Sequence, residues 1–253
     1  MSTFRLNAAA LSHVGKVRKA NEDAMALRAD AGLWAVADGM GGLQHGQWAS
    51  REVVTPLMTL ELDADSDADV ERISDTIHCA NAKIFAAAET ARSQMGTTVA
   101  VLRILDSRFV VLWAGDSRVY LCRRGALVQL TRDHTQVQDL VEAGLLARED
   151  AKHHPNAHIL SRAVGVEPEL KIDAVTDEIE ARDVFLLCSD GLTCVVGDDE
   201  IAGMLNGFPP EAAAKQLVEL TLARGAPDNV TIIAVACEEI TRLSLTPEVE
   251  MNG

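Results

Sequence analysis

Short runs of apolar residues recur along the chain and predict a protein built largely from β-strands. Eight runs are expected to be strands: 24–28, 33–37, 98–105, 109–114, 119–122, 126–130, 184–188 and 230–237. They are apolar at successive positions, which is typical of strands covered on both faces.

Helical periodicity appears between these runs. Val70, Ile73, Ile77 and Ile84 lie on one face of a segment that ends near residue 92, and the aspartates at 63–69 suit its N-terminus. An amphipathic stretch at 211–224 follows two prolines and stops at a glycine. Shorter helices are predicted at 48–60, 137–143 and 199–205. Hairpins with helices in separate blocks indicate an α+β fold, with two antiparallel sheets flanked by helices.

Composition places the chain among ordinary globular proteins. It has 253 residues, 48% of them hydrophobic and 24% charged, and 23 basic against 38 acidic residues give a net charge of −15. Such a charge disfavours binding to nucleic acids or anionic membranes. Five cysteines without a CxxC pair indicate free thiols, and neither a membrane span nor a signal peptide is recognisable, so we expect a cytoplasmic protein. We expect one domain at 1–240, with a polar, histidine-rich flap at 132–170, and a tail at 241–253.

Hairpin geometry predicts where several acidic side chains lie, because the turn fixes which residues face each other. A turn at 30–31 places Asp23 opposite Asp38. A turn at 106–107 places Thr97 opposite Asp116, and one near 124–125 puts Asp116 level with Asp133.

A second pair of aspartates is expected at the end of another strand pair. If the runs 184–188 and 230–237 pair antiparallel, Asp190 and Asp228 lie at the same end. Any one aspartate beside a turn fits an ordinary turn residue. Five such aspartates together would repel one another unless cations neutralised them, and carboxylate oxygens suit Mg²⁺ or Mn²⁺ rather than zinc. Three histidines at 153–158 could indicate zinc, but a solvated loop is the favoured interpretation.

Eight ordered motifs carry a family resemblance across residues 10–237. They are Arg18 with NEDA at 21–24, ADGMGG at 37–42, GTT at 96–98, GDSR at 115–118, TRDH at 131–134, LSRA at 160–163, SDGL at 189–192 and DNVT at 228–231. The chain resembles bacterial metal-dependent serine/threonine protein phosphatases of the PP2C (PPM) type. The resemblance implies a four-layer α/β/β/α sandwich.

The resemblance also implies roles for individual residues around two Mn²⁺ or Mg²⁺ ions. Asp38 would bridge the ions and the Gly39 carbonyl would complete one coordination shell. Asp190 and Asp228 would hold the second ion, while Glu22 and Asp23 would act through bound waters. Arg18 would bind substrate phosphate, and a hydroxide shared by the ions would attack phosphorus.

Two positions depart from the family pattern. Animal members often carry a histidine, proposed as general acid, where this chain has Met40. Water or another side chain, for instance in the flap, must then protonate the leaving group, and His45 is a weak candidate. Relatives that bind a third, weaker ion use Asp116 and an acidic residue at a position occupied here by Cys194. A third ion therefore stays open, with Asp116 as a weaker ligand.

The implied function is hydrolysis of phosphoserine and phosphothreonine in proteins, opposing a bacterial Ser/Thr kinase. The first motifs resemble phosphatases encoded with type VI secretion systems, which implies a phosphopeptide-binding scaffold as target. We expect a monomer. A non-catalytic phosphoprotein-binding module is the main alternative, and the net charge disfavours a phosphodiesterase or nuclease.

Overall fold

Two antiparallel sheets stack face to face between helical layers in the computed structural model, which describes residues 4–42, 44–62, 66–151 and 154–239. The strands are β1 Phe4–His13, β2 Asp23–Arg28, β3 Leu33–Met40, β4 Gly96–Thr97, β5 Val99–Leu105, β6 Arg108–Ala114, β7 Arg118–Arg123, β8 Ala126–Gln129, β9 Asp173–Glu178, β10 Val184–Cys188 and β11 Val230–Glu239. The helices are α1 His45–Thr59, α2 Ser66–Ala91, α3 Gln136–Glu142, α4 Arg148–Ala151, α5 Asp190–Thr193, α6 Asp198–Gly207 and α7 Pro210–Ala223.

The strand order shows how the layers are arranged. One sheet runs β1-β11-β10-β7-β8, and the other runs β2-β3-β5-β6-β9, with β4 pairing β3. Helices α1 and α2 cover the second sheet, and α6 and α7 cover the first. The predicted α+β sandwich of two helix-flanked antiparallel sheets is confirmed.

The apolar runs fill three stacked cores because successive strand residues point to opposite faces. On β3, Leu33 and Ala35 pack towards α1 and α2, whereas Trp34 and Val36 pack against the other sheet. Burial on both faces explains why the strand sequences lack polar alternation.

The predicted registers of three hairpins are confirmed within the paired residues of their ladders. Asp23 pairs with Asp38, and the β5–β6 and β7–β8 ladders have the expected registers. The prediction that Thr97 faces Asp116 is wrong, because Thr97 pairs instead with Gly39 and forms a bridge to Val164. The β5–β6 ladder ends at Val99, and Gly115 at φ +112° turns the chain out of it.

Two edge strands, β1 and β9, were not predicted from the sequence. β1 is rich in alanine and β9 is largely acidic, and both compositions are depleted in strands. They form strands because they pair with β11 and β6, although their own sequences disfavour strands. Helix α1 begins at His45, three residues before the predicted start, and contains Pro56.

Within the residues that the structure describes, no helix combines the length and apolarity needed to cross a membrane. The predicted tail at 241–253 lies outside these residues. One domain at 1–240 and a flap at 132–170 stay predictions.

A buried ion pair joins α2 to the second sheet. The Nε and Nη2 groups of Arg103 donate to Oδ2 of Asp69 at 3.0 and 2.6 Å. Asp69 is 0% and Arg103 4% exposed. Asp69, expected to act at the helix start, therefore also neutralises a cation buried in β5.

We predict that Asp69→Ala lowers the free energy of unfolding by about 3–5 kcal/mol, because it leaves the buried guanidinium without its carboxylate. Urea denaturation measures this loss. The control is Asp75→Ala on the exposed face of α2, which should change the value by less than about 0.5 kcal/mol. Equal effects of the two variants would contradict the importance of the pair.

Candidate active site

The acidic residues of the motifs gather at one end of the sandwich. Asp23 begins β2 and pairs with Asp38 near the end of β3. Asp190 follows β10 directly, and Asp228 precedes β11, the neighbour of β10. Both sheets therefore contribute carboxylates to one pocket, and Asp116 enters it from the β6–β7 connection.

Hydroxyl groups fix the backbone that carries Asp38. The Asp38 N–H donates to Oγ1 of Thr98 at 2.9 Å, and Oγ1 of Thr97 donates to the Asp38 carbonyl at 2.9 Å. Thr98 and Ser117 are linked by a 2.6 Å hydrogen bond. A Cβ on Gly115 would lie 2.6 Å from the Thr98 side chain, so this close approach requires glycine. These contacts show that Thr97 and Thr98 support the backbone at the end of β3, with Ser117 bonded to Thr98.

Asn229 joins three stretches of chain. Its Oδ1 accepts from the Glu22 N–H at 2.8 Å, and its Nδ2 donates to the carbonyls of Val14 and Ala20 at 2.9 and 3.0 Å. Asn229 therefore supports the site by hydrogen bonding to the backbone.

Ser189 is a supporting residue whose role was not predicted. Its hydroxyl donates to Oδ2 of Asp23 at 2.8 Å and accepts from the Thr231 N–H at 3.0 Å. The sequence feature that could have predicted this role is a serine placed between an apolar strand and the motif aspartate. It positions Asp23 while occupying only one of that carboxylate's oxygens.

Small residues at the start of α1 make room for Glu22. A Cβ on Gly46 would lie 2.1 Å from Oε2 of Glu22, and a Cβ on Gly39 would lie 2.1 Å from the Gly46 carbonyl oxygen. Ser50 donates to the Glu22 carbonyl at 2.6 Å. Glu22 and Gly39 therefore lie side by side beneath this helix.

The pocket is electrostatically strained without cations. Burial, reinforced by neighbouring carboxylates, raises the pKa values of Asp38, Asp116 and Asp190, and raises that of Asp23 to about 6. Oδ1 of Asp23 and Oδ1 of Asp190 are buried and accept no hydrogen bond from any residue that the structure describes. Unpartnered oxygens in a purely carboxylate and carbonyl donor set fit Mn²⁺ or Mg²⁺.

Arg18 lies at the rim of the pocket. Its Nη2 donates to Oδ2 of Asp228 at 2.6 Å, and its side chain is 57% exposed. Gly15, at φ +80°, brings this loop against residue 228, because a Cβ there would lie 2.2 Å from the Asp228 carbonyl oxygen. The guanidinium is thus held beside the carboxylates yet open to solvent.

The histidines considered from the sequence occupy different surroundings. Nδ1 of His45 lies 3.3 Å from the Ser93 hydroxyl. His153 lies outside the described residues, and Nδ1 of His154 accepts from the Asn156 N–H. Nδ1 of His158 lies 3.9 Å from Oδ2 of Asp190. The solvated-loop interpretation is therefore incomplete, since one of its histidines reaches the aspartate cluster.

Comparison with known proteins agrees with this arrangement. The family model of protein phosphatase 2C matches residues 8–143. The chain belongs to the protein phosphatase 2C family. Among curated relatives, the serine/threonine protein phosphatase PstP of Mycobacterium tuberculosis is 38% identical over 236 residues, or 91% of this chain. The chain spans only 45% of the length of PstP.

Solved structures of this family have the same fold. PppA, described as a key regulatory component of T6SS in Pseudomonas aeruginosa, superposes with a TM-score of 0.86 at 38% identity, covering 92% of this chain and 97% of PppA. The catalytic domain of PstP in complex with two manganese ions has a TM-score of 0.83 at 36% identity, covering 94% of this chain and all of that domain.

We predict that Asp23→Asn raises the Tm of metal-free protein above about pH 6, by about 5 °C. The folded state raises the pKa of Asp23 from 3.8 to about 6, so ionisation destabilises the fold as pH rises through that interval. Below about pH 4 both states are protonated and the difference should vanish. Thermal melts in EDTA measure it.

The matched control is the exposed Asp75→Asn, whose Tm difference from the wild type should not change with pH. A Tm for Asp23→Asn equal to that of the wild type at pH 7 would contradict the electrostatic account.

Proposed function

We propose that this chain hydrolyses phosphoserine and phosphothreonine in proteins with the help of two Mn²⁺ or Mg²⁺ ions. The supporting observation is the pocket of converging aspartates, two of whose buried oxygens have no partner among the described residues. Bound divalent ions would generate a nucleophile from water at neutral pH and stabilise charge on the transferred phosphoryl group.

The proposed ligands follow from where each side chain lies. Asp38 would be a direct ligand at the centre of the set, because burial and the charges of Asp23, Asp190, Asp116 and Asp228 all act on its carboxylate and raise its pKa. The Gly39 carbonyl, Asp190 and Asp228 complete the direct set. Asp23 and Glu22 orient bound waters, and Asp116 is the weaker ligand.

Arg18 is proposed to bind the substrate phosphate. Its planar guanidinium can donate two parallel hydrogen bonds to phosphate oxygens, which a lysine cannot do. The ion pair with Asp228 keeps it at the rim of the pocket, and its exposure leaves it accessible to an incoming phosphoryl group.

The leaving alkoxide must acquire a proton, and Met40 cannot supply one. His45 hydrogen-bonds with Ser93, which disfavours it as the donor. We therefore propose that the proton comes from solvent water or from a side chain of the 132–170 segment.

The proposed partners are a phosphoprotein substrate and, more specifically, a Ser/Thr kinase whose action the chain reverses. The likeness to PppA, described as a regulatory component of T6SS, supports a target within such a secretion system, and the phosphopeptide-binding scaffold expected from the sequence is our proposed candidate. We propose a cytoplasmic monomer, and the five free cysteines fit a reducing compartment.

We predict that Asp38→Ala and Asp190→Asn each reduce Mn²⁺-dependent turnover of p-nitrophenyl phosphate by at least about 100-fold, because each removes a direct ligand. Circular dichroism should show both variants folded, and EDTA should silence the wild type until Mn²⁺ is restored. Asp75→Asn, remote and exposed, is the control with normal activity. Normal rates in either ligand variant would refute the assignment. A wild type that binds a phosphopeptide without turnover would favour the binding-module alternative.

We predict that Arg18→Ala raises the KM for p-nitrophenyl phosphate about tenfold, since one charge-assisted contact to phosphate is lost. Arg18→Lys should recover part of this loss as a point charge. Arg5→Ala, an exposed arginine on β1, controls for net charge. The role of Arg18 fails if steady-state kinetics give an unchanged KM and kcat.

A further inference from the structure

Beside the aspartate cluster, the described residues bring together one histidine, one cysteine and one aspartate. Oδ2 of Asp190 lies 3.9 Å from Nδ1 of His158 and 3.8 Å from Sγ of Cys194. One ligand atom from each residue lies within 4.8 Å of the other two. Tetrahedral zinc, with bonds of about 2.0–2.3 Å, holds adjacent ligand atoms about 3.3–3.5 Å apart. Small rotations of the exposed His158 and Cys194 side chains would bring the three ligand atoms to the spacing that zinc requires.

We propose that His158, Cys194 and Asp190 form a binding site for a zinc-class ion, separate in ligand chemistry from the oxygen-lined centre. Imidazole and thiolate donors favour zinc, whereas Mg²⁺ and Mn²⁺ prefer oxygen. Three protein ligands leave a fourth position for solvent. On binding, the Cys194 thiol transfers its proton to solvent and its sulfur bonds to the ion.

The backbone places these ligands independently of any ion. The Cys194 N–H donates to the Asp190 carbonyl at 2.9 Å, so the two residues lie one helical turn apart on the same face. On the other side, Leu160 bridges Thr135, and the Gln136 N–H donates to the Ile159 carbonyl at 2.9 Å. His158 is thus presented by an anchored loop of the 132–170 segment.

Asp190 would be common to this site and to the proposed two-ion centre. Oδ1 of Asp190 is buried without a partner among the described residues, whereas Oδ2 faces His158 and Cys194. An ion held by Oδ2 would tie the 132–170 segment to α5 beside the pocket. It would also draw on a carboxylate that the two-ion centre uses.

The spectrum of Co²⁺ added to Mg²⁺-loaded full-length protein, with a non-thiol reductant, tests the site. A thiolate bound to Co²⁺ gives a near-ultraviolet charge-transfer band, which an oxygen-lined centre cannot produce. We expect the band in the wild type and in Cys79→Ser, which removes the other exposed cysteine. We expect Cys194→Ser to abolish it and His158→Ala to weaken Co²⁺ binding at least about tenfold.

Competition with a chromophoric chelator provides a second measurement. We expect Cys194→Ser to lower the Zn²⁺ affinity of the Mg²⁺-loaded protein at least about tenfold relative to Cys79→Ser. No band in the wild type, a band that survives Cys194→Ser, or equal zinc affinities would overturn the proposal. None of these readouts measures phosphatase turnover, so the zinc site and the proposed function fail or stand separately.

Discussion

Mutual repulsion among buried carboxylates is the constraint around which the end of this sandwich is built. Burial and the neighbouring charges raise the pKa values of Asp23, Asp38, Asp116 and Asp190, so the fold stores unfavourable electrostatic energy there. Divalent cations bound there would offset that repulsion, and their binding would therefore also stabilise the fold. The cluster that weakens the metal-free protein is therefore also the one proposed to hold two ions.

Neutral hydrogen bonds keep the carboxylates together against this repulsion. Thr98, Asn229 and Ser189 bind backbone groups and one carboxylate oxygen, and each is buried. They contribute no charge, so they position the acids without neutralising them. Two carboxylate oxygens are thereby left for a cation rather than for the protein. Preorganisation of this kind spares the site a reorganisation when ligands arrive.

One of the chain's departures from the family pattern, Cys194, lies at one edge of the aspartate cluster. The family resemblance implies that some relatives carry an acidic residue at this position and bind a third ion with it. His158 approaches the same edge from the 132–170 segment. Nitrogen and sulfur donors there change which ion this edge favours, while the oxygen donors at the centre suit the hard ions of the family.

The sequence by itself determined the layer architecture and the hairpin registers. A two-residue side-chain period and the turn positions decide which strand residues face each other, as Asp23 and Asp38 do. Ordered motifs were enough to predict the aspartate set. Local patterns could not predict β1 or β9, whose compositions disfavour strands and whose order comes from their partners.

Only the tertiary structure decided contacts between residues far apart in the chain. Three contacts join segments that no local periodicity relates. They are Asp69 with Arg103, Ser189 with Asp23, and His158 with Asp190. Thr97 left its predicted position because a left-handed glycine turned the neighbouring strand away. Local sequence determines which face of a strand or helix a side chain lies on, whereas the packing of sheets and loops determines which residues it contacts.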